Sequence, residues 1–266
     1  MNVKKKRKIG SQVYMFLVYT FLFIPIIAIM VGSFNTNSHN LTFDGFTLQW
    51  YSQLMEDTSL LEGLQNTILI ACASTILSLF IGTLAAFGMF RFKFKGKSVL
   101  DTMFYIPIVV PEIVLGISLM VIFSMINITA GLNTLIIAHT TFCIPYVVFN
   151  VRASIVGFDP SLEEASMDLG RNRLGTFLHV TLPLILPGIT SGAFMAFTLS
   201  VDDVIISYFT SGPGSQTLPI VVYNMIKRRI TPDVYALSTI IIVIVLAVSM
   251  ISQIDFKRLK NRKGNN

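Results

Sequence analysis

Three acidic residues lie inside stretches of the chain that are otherwise almost entirely apolar. Glu112 follows Pro111 in YIPIVVPEIVLGISL, and Asp202 and Asp203 are adjacent in FTLSVDDVIISYF. An ionised carboxylate within a membrane costs about 3 kcal/mol on insertion scales, so it normally faces a cavity or a partner. The apolar runs contain no Lys or Arg that could neutralise these acids. The three acids therefore predict a pathway for a cationic group that arrives from outside the chain.

The individual roles of the acids stay open in the sequence. Adjacent residues on a helix point about 100° apart, because 3.6 residues make one turn. Asp202 and Asp203 can therefore hardly both point at one pathway, and one could bind a cation while the other supports it or meets a neighbouring helix or subunit. Asp203 shares its helix face with Ser200 and Ser207. Glu112 could instead lie near a helix end, in contact with water.

Aromatic residues close to these acids could contribute to the same pathway. Tyr105 and Tyr208 are the two that we expect there. Their rings could make cation–π contacts with a substrate amine or pack against its methylene groups. For each ring taken singly, ordinary packing between helices is the simpler interpretation.

Enzymatic chemistry has little support. His139 and His179 stand apart from other reactive residues in the sequence, and neither G-x-S-x-G nor H-E-x-x-H is present. His139 is better explained as a helix-contact residue. The sequence also lacks GxxxxGK[ST], the motif that binds ATP phosphates. We therefore expect no catalytic residue, no metal and no cofactor, and any ATP hydrolysis must come from a partner protein.

Membrane-spanning helices must position these residues. Of the 266 residues, 53% are hydrophobic and 13% are charged, and the mean hydropathy is +0.70, values typical of polytopic membrane proteins. A helix needs about 20 apolar residues to cross a bilayer. The predicted spans are 13–34, 66–90, 104–126, 133–151, 188–209 and 236–256. The sequence thus predicts an all-α integral membrane protein with six transmembrane helices, as a single domain over 1–266 with its core at about 62–256.

The distribution of positive charge predicts the orientation of these helices. Six spans place both termini and the basic clusters on one side of the membrane. The clusters lie at 4–8, 91–97, 152–173 and 257–263. They contain all but three of the 20 Lys and Arg residues, and such an excess marks the cytosolic side. Both termini are therefore expected in the cytosol. The exceptions, Lys227, Arg228 and Arg229, could end a short helix on the opposite side.

A long polar stretch, at about 157–187, interrupts the apolar runs on the predicted cytosolic side. Residues 162–169 can form a short helix that Gly170 ends. A second short helix is predicted at 174–180, before the two prolines that follow it break the backbone. Two short helices across the end of a transmembrane bundle would form a docking surface.

The spacing inside this stretch resembles the EAA loop of ABC-importer permeases, E-A-A-x3-G-x9-I-x-L-P. Glu164-Ala165-Ser166, Gly170 and Val180–Pro183 occupy its defined positions with every spacing kept. Serine for the second alanine and valine for isoleucine are departures that keep size or shape. In that family the loop is a coupling helix that sits in a groove of the ATPase subunit. The coupling residues that the resemblance implies are Glu163, Glu164, Ala165, Ser166, Asp168, Gly170 and Pro183.

Longer segments resemble the C-type permeases of spermidine/putrescine ABC importers. The segments are HTTFCIPYVVFNVRA, GFDPSLEEASMDLG, FTLSVDDVIISYFTSGPG and LPIVVYNMIKRRITPDVYALSTI. The likeness extends over essentially the whole chain. It implies the MetI-like fold of type I importers and a permease subunit that provides half of a polyamine pathway in a bacterial inner membrane. It also implies a second, homologous permease subunit, two copies of an ABC ATPase and an extracytoplasmic substrate-binding protein.

Two other transport functions stay open. A related ABC importer for another solute, such as iron or thiamine, would use the same coupling loop. A stand-alone secondary transporter or channel would explain the intramembrane acids but would leave the EAA-type spacing without a role. ATP-dependent uptake that requires a partner ATPase would separate these possibilities.

Overall fold

The computed structural model of the chain describes residues 3–37, 43–157, 159, 161–228, 232–244 and 246. These residues are almost entirely helical, which confirms the predicted all-α fold. The helices are α1 (Val3–Gly32), α2 (Gln49–Glu56), α3 (Thr58–Arg91), α4 (Lys97–Val109), α5 (Glu112–Met125), α6 (Leu132–Ile155), α7 (Ser161–Asp168), α8 (Arg173–Thr176), a π-helical turn (Phe177–Thr181), α9 (Leu182–Asp202), α10 (Ile205–Thr210), α11 (Leu218–Arg228) and α12 (Pro232–Ile244).

Four helices among the described residues are long and apolar enough to cross a membrane. They are Ser11–Gly32, Thr58–Arg91, Leu132–Ile155 and the continuous helix Arg173–Asp202, which joins α8, the π turn and α9. The pair α4 and α5 gives a fifth span if it is counted as one bent element. Most of the last predicted span, 236–256, lies outside the described residues, and α12 covers its beginning.

The predicted continuous helix at 104–126 is wrong, because this segment is broken before Pro111. Pro111 has no N–H to donate to the preceding turn, and it disfavours helical geometry at the residue before it. Val110 accordingly has φ −69° and ψ 131°. The axes of α4 and α5 differ by 110° across this break. Glu112 consequently becomes the first residue of α5.

The predicted break at Pro183 and Pro187 is also wrong, because both prolines lie within α9. The π turn immediately before α9 explains how the helix continues through Pro183. In this turn the N–H of Leu182 bonds to the carbonyl of Phe177, five residues earlier. The hydrogen-bond register thus changes just before Pro183, which has no N–H to donate to the preceding turn. The short helix expected at 174–180 is therefore the base of a long span.

The described residues fall into two compact units, 59–223 and a second unit formed by 1–58 with 224–266. In the first unit, α6 packs along α9. The contact depends on small residues: a Cβ on Gly188 would lie 2.6 Å from the carbonyl oxygen of Asn150. Close packing through glycine is usual between membrane helices. That the whole of 1–266 acts as one domain stays a prediction.

The second unit contains α1, α12 and a small folded loop. Thr47 donates its backbone N–H to the carbonyl of Phe34 at 2.8 Å, and the Trp50 indole N–H donates to the carbonyl of Asn35 at 2.8 Å. The helix α11 runs to Arg228, which confirms that Lys227 and Arg228 end a short helix as expected. Arg229 lies outside the described residues.

Candidate functional site

The predicted helix at 188–209 is interrupted directly after Asp202. Asp203 has an extended backbone, with φ −66° and ψ 126°, and the short helix α10 begins at Ile205. The Asp203 carboxylate accepts hydrogen bonds from the backbone N–H groups of Ile206 (3.2 Å) and Ser207 (2.7 Å). Asp203 therefore supplies acceptors for N–H groups that the first turn of α10 leaves without intrahelical partners.

His139 contacts the same carboxylate from α6. Its Nε2 lies 3.5 Å from Asp203 Oδ2 and 2.9 Å from Ser207 Oγ, and its Nδ1 lies 2.7 Å from Ser200 Oγ. Ser200 also accepts a hydrogen bond from Ser74 of α3 at 3.2 Å. All these side chains are buried, with His139 only 1% exposed. They form a polar network, Ser74–His139–Ser200–Asp203–Ser207, that joins α3, α6, α9 and α10.

This network clarifies the role of His139. The sequence showed the histidine apart from other reactive groups, whereas the structure surrounds it with two serines and an aspartate. Both serines are at most 2% exposed, so neither hydroxyl is open to a substrate. The interpretation of His139 as a helix-contact residue is confirmed. The signal available in the sequence was the shared face of Ser200, Asp203 and Ser207.

Asp202 points differently from Asp203. It is exposed and lines a cavity of about 260 Å³ together with Glu112. The other lining residues are Phe142, Leu199, Asp203, Val204 and Ile205. Asp202 is the last residue of α9, where the helix dipole adds negative potential, and Glu112 lies at the N-terminus of α5, where the dipole stabilises its charge. The structure thus brings two exposed carboxylates to one cavity, which has no Lys or Arg among its lining residues.

The two predicted pathway tyrosines lie in different places. Tyr208 lines a neighbouring cavity of about 270 Å³, and its ring centroid lies 5.5 Å from that of Phe209 and 6.3 Å from that of Tyr223. Ile205 lines both cavities. Tyr105 lines neither, and its ring packs against Phe149 at 4.7 Å between centroids.

The polar segment at 157–187 begins with the helix α7, whose end is defined by Gly170. The N–H of Gly170 bonds to the carbonyl of Met167 at 2.9 Å, and the N–H of Arg171 bonds to that of Ser166 at 3.2 Å. These two bonds make a Schellman motif, which requires a left-handed residue. Gly170 has φ +87°, so the predicted helix stop is confirmed. A Cβ at this position would have no neighbour within 4 Å, so glycine is needed here for its backbone conformation.

The outer face of α7 carries exposed side chains. Glu164, Ala165 and Asp168 are exposed there. Leu169, which follows the helix, is 87% exposed. Before the helix, the carboxylate of Asp159 accepts a hydrogen bond from the N–H of Ser161 at 3.0 Å, and this bond lowers the pKa of Asp159. Glu164, Ala165, Asp168 and Leu169 thus form an exposed surface on this side of α7.

The inner face of α7 is held by polar contacts. Glu163 is 5% exposed; its Oε2 lies 3.2 Å from Arg91 Nη1, and its Oε1 accepts a hydrogen bond from the Thr181 hydroxyl at 2.6 Å. Ser166 Oγ lies 3.2 Å from Thr176 Oγ1. A cavity of about 150 Å³ beside this contact is lined by Phe87, Arg91, Phe92, Glu163, Met167, Arg173, Thr176 and Phe177. The pairing of Glu163 with Arg91 was missed in the sequence, where nothing local indicates it.

Several apolar spans and an acidic cavity at a helix break are features of membrane transport proteins. Residues 78–263 match the model of the binding-protein-dependent transport system inner membrane components. The chain belongs to this family, and it is accordingly a multi-pass component of an inner membrane.

Relatives with established names agree with this assignment. The chain is 38% identical to the spermidine/putrescine transport system permease protein PotC of Escherichia coli over 252 residues, which cover 95% of each chain. It is 34% identical to the putrescine transport system permease protein PotI of Escherichia coli over 248 residues, 91% of this chain and 88% of the relative. The resemblance to spermidine/putrescine permeases is therefore confirmed.

Solved structures show the fold. A bacterial ABC transporter involved in the import of the acidic polysaccharide alginate aligns with a TM-score of 0.73 at 14% identity, covering 97% of this chain and 98% of that one. The MetNI methionine ABC transporter aligns with a TM-score of 0.61 at 17% identity, covering 78% of this chain and 95% of that one. The expected MetI-like fold of type I importer permeases is confirmed.

Proposed function

We propose that this chain is the permease subunit of an ATP-driven polyamine importer and that it provides half of the pathway for spermidine and putrescine. The observation that carries this proposal is the cavity shared by Glu112 and Asp202, which offers two exposed carboxylates and no cationic side chain. Relatives over nearly the whole chain are named as spermidine/putrescine and putrescine permeases. A polyamine bears several ammonium groups on an apolar stem, and such a cavity suits its charge.

The roles of the pathway residues differ. Asp202 and Glu112 contact the ammonium groups of the passing substrate. Asp203 holds the helix break through α10 and His139, and in this way keeps Asp202 directed at the cavity. Tyr208 contacts the methylene stem from the adjoining cavity. Tyr105 has a packing role against Phe149.

The chain itself hydrolyses no ATP and works with partners. The sequence has no phosphate-binding loop, and the family name refers to transport that depends on a binding protein. The partners are a second, homologous permease, two copies of an ABC ATPase and an extracytoplasmic binding protein. The outer face of α7, with Glu164, Ala165 and Asp168, meets the ATPase. Both termini lie in the cytosol together with this helix.

Reconstitution of the complete complex in lipid vesicles tests the proposal. ATP supplied on the ATPase side should drive uptake of radiolabelled spermidine and putrescine when the binding protein is present. A complex whose ATPase cannot hydrolyse ATP is the matched control. Uptake that continues in this control would identify a secondary transporter. Uptake of iron or thiamine, with none of either polyamine, would identify a related importer of another solute.

A further inference from the structure

Glu163 of α7 contacts both α3 and the π turn before α9. The EAA pattern specifies neither Glu163 nor Thr181, the residue whose hydroxyl it binds. Glu163 lies on α7 directly before Glu164, the first residue of the pattern, and Thr181 occupies the variable position before Leu182-Pro183. One carboxylate oxygen is bonded to Thr181 at 2.6 Å, and the other faces Arg91 at 3.2 Å. Arg91 is the last residue of α3, and Thr181 ends the π turn below α9.

The contacts of Glu163 with Arg91 and Thr181 are costly to break because the Glu163 carboxylate is buried. The Glu163 side chain is 6% exposed, whereas that of Arg91 is 40% exposed. A buried carboxylate that loses a partner keeps the penalty of its desolvation without the compensating interaction. Both of its oxygens are occupied, so α7 cannot turn or withdraw from α9 alone without leaving that charge under-satisfied. The coupling helix and the base of α9 should therefore move as one body.

A continuous helix connects these contacts to the acidic cavity. The helix Arg173–Asp202 contains 30 residues, and its α9 segment of 21 residues is about 30 Å long at about 1.5 Å per residue. Thr181 lies immediately before this segment and Asp202 is its last residue. A displacement of α7 therefore acts on the start of α9, through Thr181. The cavity carboxylate of Asp202 lies at the other end of α9.

We propose that Glu163 is a positioning residue that transmits the movement of α7 through Thr181 to α9 and so to Asp202, with Arg91 as its anchor on α3. This inference rests on the proposed function, since it concerns how ATP hydrolysis by the partner is coupled to transport. Glu164 meets the ATPase from the outer face, and Glu163 passes the movement inwards.

The test measures ATP hydrolysed per spermidine transported by the complete complex in vesicles. Glu163→Gln removes the charge with little change of shape, and Thr181→Val removes only the hydroxyl. Each should raise the ratio by about tenfold, the factor that corresponds to one hydrogen bond to a charged group. Thr181→Ser, which restores the hydroxyl, should return the ratio close to that of the wild type. Arg91→Gln added to Glu163→Gln should have little further effect, because both changes remove the same ion pair.

The ion pair between Asp101 of α4 and Arg152 of α6 provides the matched control, because it lies outside α7 and α9. Asp101→Asn should leave the ratio unchanged. If Glu163→Gln and Thr181→Val lose hydrolysis and uptake in proportion, or if Asp101→Asn raises the ratio equally, the proposal is refuted. If Glu163→Gln does not assemble, the comparison of Thr181→Val with Thr181→Ser decides. A wild-type complex that hydrolyses ATP without importing polyamine would refute the proposed function instead.

Discussion

Asp202→Asn is expected to slow polyamine uptake strongly while the complex assembles normally. The substitution keeps the volume of the side chain and removes its charge. Asp202 makes no salt bridge within the described residues and is exposed to the cavity that Glu112 also lines. Removal of this charge should therefore change the free energy of folding little. It leaves the cavity with one exposed carboxylate, that of Glu112, for the substrate.

The magnitude follows from the geometry of a charge pair. An ammonium group about 4 Å from a carboxylate is attracted by about 4 kcal/mol at an effective dielectric constant of about 20, before desolvation is counted. Exposure of Asp202 and desolvation of the amine reduce this value, and a net loss of about 1.4–2.8 kcal/mol corresponds to about 10–100-fold slower passage. Glu112→Gln should have the same direction with a smaller effect.

Asp203→Asn should also lower uptake, but through the stability of the helix break. An amide offers one acceptor oxygen where the carboxylate of Asp203 serves both Ile206 and Ser207. A buried donor left without a partner costs about 1–3 kcal/mol. The loss of charge also weakens the contact with His139, whose Nε2 lies 3.5 Å from Asp203 Oδ2. We expect a lower unfolding temperature of the purified complex, which Asp202→Asn should not cause.

The assay is radiolabelled spermidine uptake by vesicles that contain equal amounts of assembled complex, supplied with saturating loaded binding protein. Saturation keeps substrate capture from limiting the rate, so the measurement reports passage through the membrane. Wild-type uptake by Asp202→Asn and Glu112→Gln would show that the cavity is not part of the pathway. Unfolding temperatures that fall equally for Asp202→Asn and Asp203→Asn would contradict the distinct roles assigned to the two aspartates.

Three further predictions concern coupling, packing and orientation. Gly170→Val should raise the ATP hydrolysed per polyamine transported, because a left-handed conformation costs an L-residue about 1–2 kcal/mol; Gly170→Asn should do so less, and equal ratios for the two would contradict this reasoning. Gly188→Ala should lower the unfolding temperature of the complex, because its Cβ would clash with Ser154 Oγ and with the carbonyl oxygen of Asn150 at 2.6 Å, and overpacking costs about 1–3 kcal/mol; an unchanged value would count against the α6–α9 contact. A cysteine replacing Asp57, in a background without the two native cysteines, should react only with reagents on the extracytoplasmic side; labelling from the cytosol would overturn the orientation.

The class of protein and the position of the polar segment at 157–187 follow from the linear sequence, and that this segment couples transport to an ATPase stays a prediction. Apolar runs are imposed by the thickness of the bilayer, so the membrane spans can be recognised without knowledge of their neighbours. The end of α7 at Gly170 is equally local, because a left-handed residue is needed wherever a Schellman motif closes a helix. The EAA-type spacing is a linear pattern, and it therefore identified the permease family before any contact was known.

Tertiary contacts, in contrast, set where the helices break and which of the acids lining the cavity are exposed. Pro183 and Pro187 were expected to end a helix, yet a π turn carries the chain through Pro183, because the backbone can change its hydrogen-bond register there. No proline lies next to the break after Asp202 that could have predicted it from the sequence. It is held by the Asp203 carboxylate and by His139, which comes from another helix.

The pairing of Glu163 with Arg91 is long-range in the same way, since it joins α7 to the end of α3. The direction of the Asp202 side chain likewise depends on where α9 ends. The end of α9 at Asp202 is set by the bonds of the Asp203 carboxylate to α10 and by His139 of α6, and the linear pattern does not show that His139 lies there.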